Sequence, residues 1–174
     1  MYRLLSGEKL DTYAGKIIGP AWNLLPEDND TLPELVPCEW LNTTCTLYRK
    51  AALPVPVFSN HFTGYSLMED VTLSVTIGRN WDLLNARTAR IFHDSQTGDH
   101  KSNVAEISQM ELVNRYYVMS KILERRGFVF NLKFLLLQIF GIVTNLRSKQ
   151  AWANLPGVLW GKISGTIKIV KTDW

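Results

Sequence analysis

The sequence predicts an α/β fold followed by a helical region suited to a membrane surface. Residues 38–49, which are rich in threonine and aromatic side chains, indicate a buried strand. Apolar residues at helical spacing predict a helix over 69–79, and residues 128–146 are apolar enough to predict another, unusually hydrophobic one. We therefore expect the α/β part to occupy residues 1–103 and the helical, membrane-associating part to occupy residues 104–174.

Length and composition fit one compact domain with a hydrophobic core. The chain has 174 residues, of which 46% are hydrophobic and 20% charged. These values are typical of a globular protein and exclude a disordered or fibrous one. The two cysteines, Cys38 and Cys45, suggest no disulfide framework and lack the spacing of a zinc site. We expect them to be small buried thiols in a reducing compartment.

The charge is distributed unevenly along the chain. Residues 1–120 hold 10 Lys and Arg against 14 Asp and Glu, whereas residues 121–174 hold 9 against 2. Large apolar residues accompany the basic ones in this last segment. The combination favours an anionic membrane surface as a partner over nucleic acid, for which a denser basic stripe is expected. An ordinary solvated basic face is the alternative.

Three other segments complete the predicted α/β part. Residues 1–37 hold several glycines and four prolines, so they predict loops with short extended pieces and no helix. Residues 81–93 predict a strand and a turn. The polar segment 94–102 follows and is expected to be a flexible connection.

The helix expected over 104–126 has a signal at each end. Asn103 can act as its N-cap, and Glu106 completes a capping-box pattern. The arginine pair at 125–126 suits the last turn, where the helix dipole favours cations, and Gly127 can supply a left-handed stop.

The helix expected over 128–146 is apolar except for one narrow stripe. Asn131, Gln138 and Asn145 repeat every seven residues, so the rest of the cylinder must be covered by protein or by lipid. A full membrane span, an in-plane position at the membrane surface and a core helix are the three possibilities. Lys133 and the three amides favour the in-plane position.

Two adjacent carboxylates, Glu69 and Asp70, stand at the predicted start of a helix behind a glycine-containing loop. The helix N-terminus favours negative charge and is expected to keep them ionised. An ionised aspartate facing a cleft can take a proton from an attacking hydroxyl group, so Asp70 is a candidate general base. An acidic pair without function at a helix start is the common alternative.

Two further candidates concern metal binding. His93 ends an apolar segment just before a polar loop, where it is either a ligand or an ordinary structural histidine. The D-x-D sequence at 28–30 lies among prolines, and we interpret it as a solvated turn. The sequence contains no glycine-rich phosphate loop, no G-x-S-x-G, no H-E-x-x-H and no C-x-x-C, so most enzyme classes lack support.

Three segments in succession resemble glycosyltransferase family 2. EWLNTTCTLYRKAALP (39–54) is similar to the strand behind the acceptor site of that family. FTGYSLMEDVTLS (62–74) resembles its F-x-G-Y-x-x-x-E-D-V-D-L-S segment, and ARTARIFH (86–93) resembles the P-x-A-R-V-x-H strand that ends the catalytic domain. The resemblance covers residues 36–100 closely and the helix at 104–126 more loosely.

The resemblance implies a GT-A fold and inverting transfer of a sugar from a nucleotide-sugar to a hydroxyl group. Asp70 matches the general base, and Glu69 matches its neighbour, which shapes the acceptor site. His93 matches a histidine that completes the site of a divalent metal, Mn²⁺ or Mg²⁺. Four residues fall where the family lines the acceptor pocket: Trp40, Asn42, Thr43 and Tyr65.

The chain departs from the family pattern in one major respect. The family begins with a parallel βαβ half that carries the base-binding strand and the metal-binding D-x-D, and no such alternation precedes residue 36. The sequence at 28–30 lies too close to Glu69 and Asp70 to take that role. We therefore expect a fragment, or a partner chain that supplies the missing half. Thr72, where many members have Asp, is a smaller departure.

The sequence thus predicts a glycosyltransferase of polysaccharide or glycolipid synthesis at the cytoplasmic face of the membrane. Its expected partners are a nucleotide-sugar donor, a glycan or lipid-linked glycan acceptor and the membrane surface, without nucleic acid. The alternative is a non-catalytic membrane-associated relic or partner subunit that keeps the acceptor-side fold.

Overall fold

The computed structural model describes residues 15–25, 30–92, 94 and 102–172, apart from the side chain of Asn145. The described elements, in chain order, are β1 (Ile17–Ile18), β2 (Trp22–Asn23), β3 (Leu35–Pro37), α1 (Glu69–Gly78), β4 (Leu84–Ala86), α2 (Val104–Tyr117), α3 (Phe128–Asn145) and α4 (Lys149–Lys171). The predicted combination of helices with strands is confirmed in this coarse form.

The strands form two small antiparallel pairs. β1 pairs with β2 in a tight hairpin, and β3 pairs with β4 so that Val36 lies opposite Asn85. β4 falls inside the segment 81–93 that was predicted to be strand and turn. The N-terminal strands likewise agree with the short extended pieces expected there.

The strand predicted over 38–49 is wrong. Asn42 Oδ1 accepts hydrogen bonds from Thr44 N (3.0 Å) and Thr44 Oγ1 (2.7 Å), and the segment turns into a short 3₁₀ helix, Thr43–Cys45. Side chains of this type compete with strand pairing by offering the backbone a local partner. Cys45 is exposed here and Cys38 half-buried, so the expectation of two buried thiols is wrong for Cys45.

α1 begins and ends as predicted to within one residue. Val71, Leu73 and Ile77 are almost completely buried on it. The buried side of α1 contributes to two clusters, since Val71 packs in the cluster around Trp40, whereas Leu73 and Ile77 pack with Leu83.

α2 begins as predicted and ends early. Asn103 Oδ1 accepts hydrogen bonds from Ala105 N and Glu106 N, which confirms the N-cap. The α-helix ends at Tyr117 and continues as a single π turn, Val118–Ile122. The prediction of a helix up to residue 126 is therefore wrong for residues 123–126.

Of the arginine and glycine signals at the end of α2, Arg126 acts there: its Nε donates to Ser120 O of the π turn (2.8 Å). Arg125 and Gly127 serve other purposes. Arg125 Nη1 donates to Ile17 O (3.0 Å) and Gly19 O (2.7 Å), so it fastens the β1–β2 hairpin instead of a last helical turn. Gly127, at φ 98°, is the N-cap of α3. α3 itself matches its predicted range to one residue.

A stripe of glycines lets α4 lie against α2. Gly157, Gly161 and Gly165 recur every four residues and face α2. A Cβ built at Gly161 would stand 2.7 Å from Ser108 Cβ and would overlap the carbonyl oxygen of Ala105. The two helices can approach this closely because these side chains are missing, and theirs is the most extensive contact between described elements.

One buried cluster joins the α/β part to the helical part. It contains Trp40 and Val71 from the first, and Leu112, Met119 and Phe134 from the second. Each of these side chains is less than a tenth exposed. The two regions therefore share a core across the expected boundary at residue 103.

α3 and α4 each keep one apolar face uncovered. The exposed residues are Phe128, Val129, Leu132, Leu135, Ile139 and Val143 on α3, and Trp152, Leu159, Trp160, Ile163, Ile167 and Val170 on α4. At 3.6 residues per turn, each set falls on one side of its helix, and the α4 set lies opposite the glycine stripe. Among the described helices, none has the length and apolar character that a membrane crossing requires.

Candidate functional site

The loop before α1 leads directly into the first turn of the helix, where the two carboxylates, Glu69 and Asp70, lie. Gly64, Ser66 and Met68 all have positive φ angles, of 66°, 53° and 76°. The Met68 side chain is buried, and its carbonyl accepts hydrogen bonds from Thr72 N and Thr72 Oγ1, both at 3.1 Å. Glu69 and Asp70 therefore enter the helix directly from a tight turn that is anchored in the core.

Burial raises the pKa of both carboxyl groups of this pair. Burial raises the pKa of Asp70, against the hydrogen bond of 2.8 Å that Val71 N donates to its Oδ1. The pKa of Glu69 is also raised, first by burial and then by the negative charge of Asp70. The helix N-terminus acts on the pKa in the opposite direction, and burial has the larger effect. The expectation that both groups are ionised stays a prediction. A carboxylate with a raised pKa is a stronger base once it is ionised.

The segment after Trp40 lies against α1 next to Asp70. Leu41 N donates to Ser74 Oγ (3.0 Å), and Ser74 Oγ donates back to Leu41 O (3.2 Å). Tyr48 belongs to the same environment, since its pKa is raised by burial and also by the charge of Asp70. Two of the three motif segments thus meet at the first turns of α1.

The four predicted acceptor residues occupy different positions. Trp40 is only 4% exposed, and its Nε1 donates to Leu24 O at 2.7 Å, so its ring serves the core. Asn42 is exposed but holds the 3₁₀ turn described above, and Thr43 is half-buried within that turn. Tyr65 is 40% exposed on the loop before α1.

The predicted metal site cannot be traced to a set of ligands. His93 lies outside the described residues, as do two of the three residues of the D-x-D at 28–30. Asp30 is exposed and pairs with Arg87 at 3.0 Å. Within the described ranges, no three His, Cys, Asp or Glu side chains gather closely enough to hold a metal ion. The role of His93 as a metal ligand stays a prediction.

A second polar cluster, which the sequence analysis missed, lies between the helices of the C-terminal region. Glu111 on α2 accepts hydrogen bonds from Arg115 Nε (2.7 Å) and from Lys162 Nζ on α4. Lys162 Nζ also donates to Gln138 Oε1 on α3 at 2.7 Å. These side chains line a cavity of about 630 Å³. The only sequence signals were a Glu–Arg pair four residues apart and the position of Gln138 in the polar stripe of α3.

Comparisons of the chain with protein-family models, with curated proteins and with solved structures gave no match. The family suggested by the sequence motifs therefore stays a prediction. Chemically, the start of α1 provides a half-buried carboxyl group of raised pKa, which suits the removal of a proton from a hydroxyl group.

Proposed function

We propose that the chain is the acceptor-side part of an inverting, family 2-like glycosyltransferase of polysaccharide or glycolipid synthesis. The observation that supports this most is the burial of Asp70 and the resulting rise in its pKa at the start of α1. This is the position at which the motif FTGYSLMEDVTLS resembles the segment carrying the general base of that family. A carboxylate without such burial would be a weaker base.

In the proposed reaction, Asp70 takes the proton of an acceptor hydroxyl group. The oxygen freed of its proton forms a bond to the anomeric carbon on the face opposite the nucleotide. The bond from that carbon to the diphosphate breaks, and the electron pair leaves with the nucleoside diphosphate. Attack from the opposite face inverts the anomeric configuration. A base placed within hydrogen-bonding distance typically contributes about 10²–10⁴-fold to such a step.

The acceptor is proposed to be a glycan or lipid-linked glycan bound beside Tyr65. Aromatic rings stack on the C–H surfaces of sugars, and Tyr65 is a 40% exposed aromatic residue in the matching motif. Asn42 and Thr43 lie in the segment that Ser74 fastens to α1, and their polar groups suit sugar hydroxyls. Trp40 is proposed to support this wall from within the core.

Two components of the proposed enzyme come from the resemblance alone. The first is a divalent metal, Mn²⁺ or Mg²⁺, with His93 among its ligands, which would supply positive charge beside the leaving diphosphate. The second is a nucleotide-binding half, in the same longer protein or in a partner chain. The proton transfer to Asp70 is derived without either of them.

The proposed location is the cytoplasmic face of the membrane, peripherally attached. The uncovered apolar faces of α3 and α4 support it, together with the excess of basic residues after position 120. In-plane amphipathic helices combine these two properties, because apolar side chains enter the interface and cations contact anionic lipid.

The test is sugar transfer by the chain combined with a nucleotide-binding half. Labelled UDP-, GDP- and dTDP-sugars are offered with Mn²⁺ and a lipid-linked glycan acceptor, and the anomeric configuration of the product is read by NMR. Transfer with inversion is expected for one donor. Retention would contradict the inverting mechanism, and failure with every donor would favour a non-catalytic partner subunit.

A further inference from the structure

The cavity between α2, α3 and α4 is large enough for a small molecule. Its volume of about 630 Å³ falls within the range of roughly 300–1,000 Å³ that is usual for ligand sites. Most of the lining is apolar, for example Ile107, Leu137, Phe140, Leu155 and Val158. The bulk of the cavity therefore suits an apolar chain or ring system.

Charged groups lie in one part of this lining. Burial alone raises the pKa of Glu111, but the charges of Arg115 and Lys162, with their hydrogen bonds, bring it below the ordinary value. Glu111 is therefore ionised between two cations, and the group carries an excess of one positive charge. Among the described residues, no carboxylate other than Glu111 pairs with Arg115 or Lys162. Because a buried charge without a counter-charge is unfavourable, the group favours an additional anion.

The same group also has hydrogen-bond donors to offer. Gln138 Oε1 accepts from Lys162, which orients the amide and leaves Nε2 as a donor. Arg115 Nη1 is used by Ala21 O and Asn23 Oδ1. Among the described residues, neither Gln138 Nε2 nor Arg115 Nη2 has an acceptor. The polar part of the cavity thus presents donors and positive charge to a ligand.

We propose that this cavity binds an anionic amphiphile. Its single acidic group, a carboxylate or a phosphate, contacts Lys162, Gln138 and Arg115, and its apolar chain lies among the side chains of α2, α3 and α4. A neutral lipid would leave the excess charge uncompensated, and inorganic phosphate would leave the apolar lining empty. The site is separate from the Asp70 carboxylate, and the inference does not rest on the proposed glycosyltransferase activity.

Dodecyl phosphate, kept below its micelle concentration, is the first probe. It is expected to bind with a measurable heat in calorimetry and to raise Tm, because a ligand selective for the folded state stabilises it. Dodecanol is expected to bind at least about tenfold more weakly, and inorganic phosphate to leave Tm unchanged. Equal affinity for dodecanol, or an equal Tm rise with inorganic phosphate, would overturn the proposal.

A cavity-filling variant locates the binding. Gly141 lines the cavity, and a Cβ built on it meets no atom within 4 Å, so Gly141→Leu should fold and occupy the space. Asn131→Leu adds the same side chain to an exposed position of α3 outside the lining. Dodecyl phosphate binding should be lost in Gly141→Leu and kept in Asn131→Leu. Unchanged binding in Gly141→Leu would place the ligand on the outer apolar faces and contradict the site.

A charge variant tests the acidic group. Lys162→Met keeps the length of the side chain and removes the excess charge, so the preference for dodecyl phosphate over dodecanol should fall to below about twofold. A retained preference would contradict the role of Lys162. If Lys162→Met does not fold, as circular dichroism would show, the Gly141→Leu result decides by itself.

Discussion

At the scale of single residues, two opposed effects act on the pKa of the Asp70 carboxyl group. Val71 N donates a hydrogen bond to it, which lowers the pKa, while burial has the larger effect and raises the pKa above its ordinary value. Because the pKa is higher in the folded than in the unfolded state, the folded state binds more protons between the two pKa values. Stability therefore falls as pH rises through that window.

This linkage predicts that Asp70→Asn stabilises the fold near neutral pH. Asparagine keeps the acceptor for Val71 N and removes the desolvated charge, so Tm should rise by a few degrees at about pH 7. Below the ordinary Asp value of 3.8 the carboxyl group is neutral in both states, and the difference should vanish. Thermal unfolding at both pH values measures it, with the exposed Asp82→Asn as control. A lower Tm for Asp70→Asn at both pH values would refute the prediction.

At the scale of elements, the α2–α4 contact depends on the absence of side chains at the glycine stripe. In Gly161→Ala the new Cβ meets Ala105 O and Ser108 Cβ, so we expect a loss of about 1–3 kcal/mol in the free energy of unfolding. Urea denaturation measures this loss.

Gly141→Ala on α3 is the matched control for that contact. Its Cβ enters open space, and alanine is the better helix former, so a gain of up to about 1 kcal/mol is expected. If both variants changed stability equally, the close contact between α2 and α4 would be refuted.

Elements with local signals could be predicted from the sequence. The predicted starts of three helices are correct. The signals were the carboxylates of α1, the N-cap Asn103 of α2 and the continuous apolar run of α3. The strand expected over 38–49 does not form, because the Asn42 side chain accepts a hydrogen bond from Thr44 N and turns the chain locally. Nor did the sequence indicate the bounds of α4, since Pro156 and its glycines are poor helix formers and only packing against α2 makes their positions understandable.

The candidate site was likewise predictable from the sequence only in part. The position of Glu69 and Asp70 was predictable from a capping preference and a motif, whereas the rise in their pKa depends on neighbours that no local pattern reveals. The cluster around Glu111 joins α2, α3 and α4 across 51 residues between Glu111 and Lys162. Such a contact follows from the packing of three helices and not from any spacing in the sequence.

At the scale of the whole molecule, charge and apolar surface coincide in the C-terminal region. We expect the protein to co-sediment with vesicles rich in phosphatidylglycerol and not with phosphatidylcholine vesicles, with binding that weakens as salt is added. Ile139→Ser and Ile163→Ser together should weaken binding by roughly tenfold through the loss of buried apolar area. Leu25→Ser, a change of the same kind at an exposed residue outside these helices, is the control.

The outcome for Leu25→Ser decides how specific that surface is. If it weakens vesicle binding as much as the pair on α3 and α4, the protein lacks a defined membrane face. If binding is unaffected by salt, the basic excess after position 120 has no part in it.

The rate of sugar transfer in a single turnover, with donor saturating, tests the role of Asp70 most directly. The assay uses the complete enzyme, in which the nucleotide-binding half is present, and compares Asp70→Asn with the exposed-carboxylate variant Asp82→Asn. We predict a loss of about 10²-fold or more for Asp70→Asn with unchanged donor affinity, because only the proton acceptor is removed. Transfer by Asp70→Asn within about twofold of the unmodified protein would contradict the account.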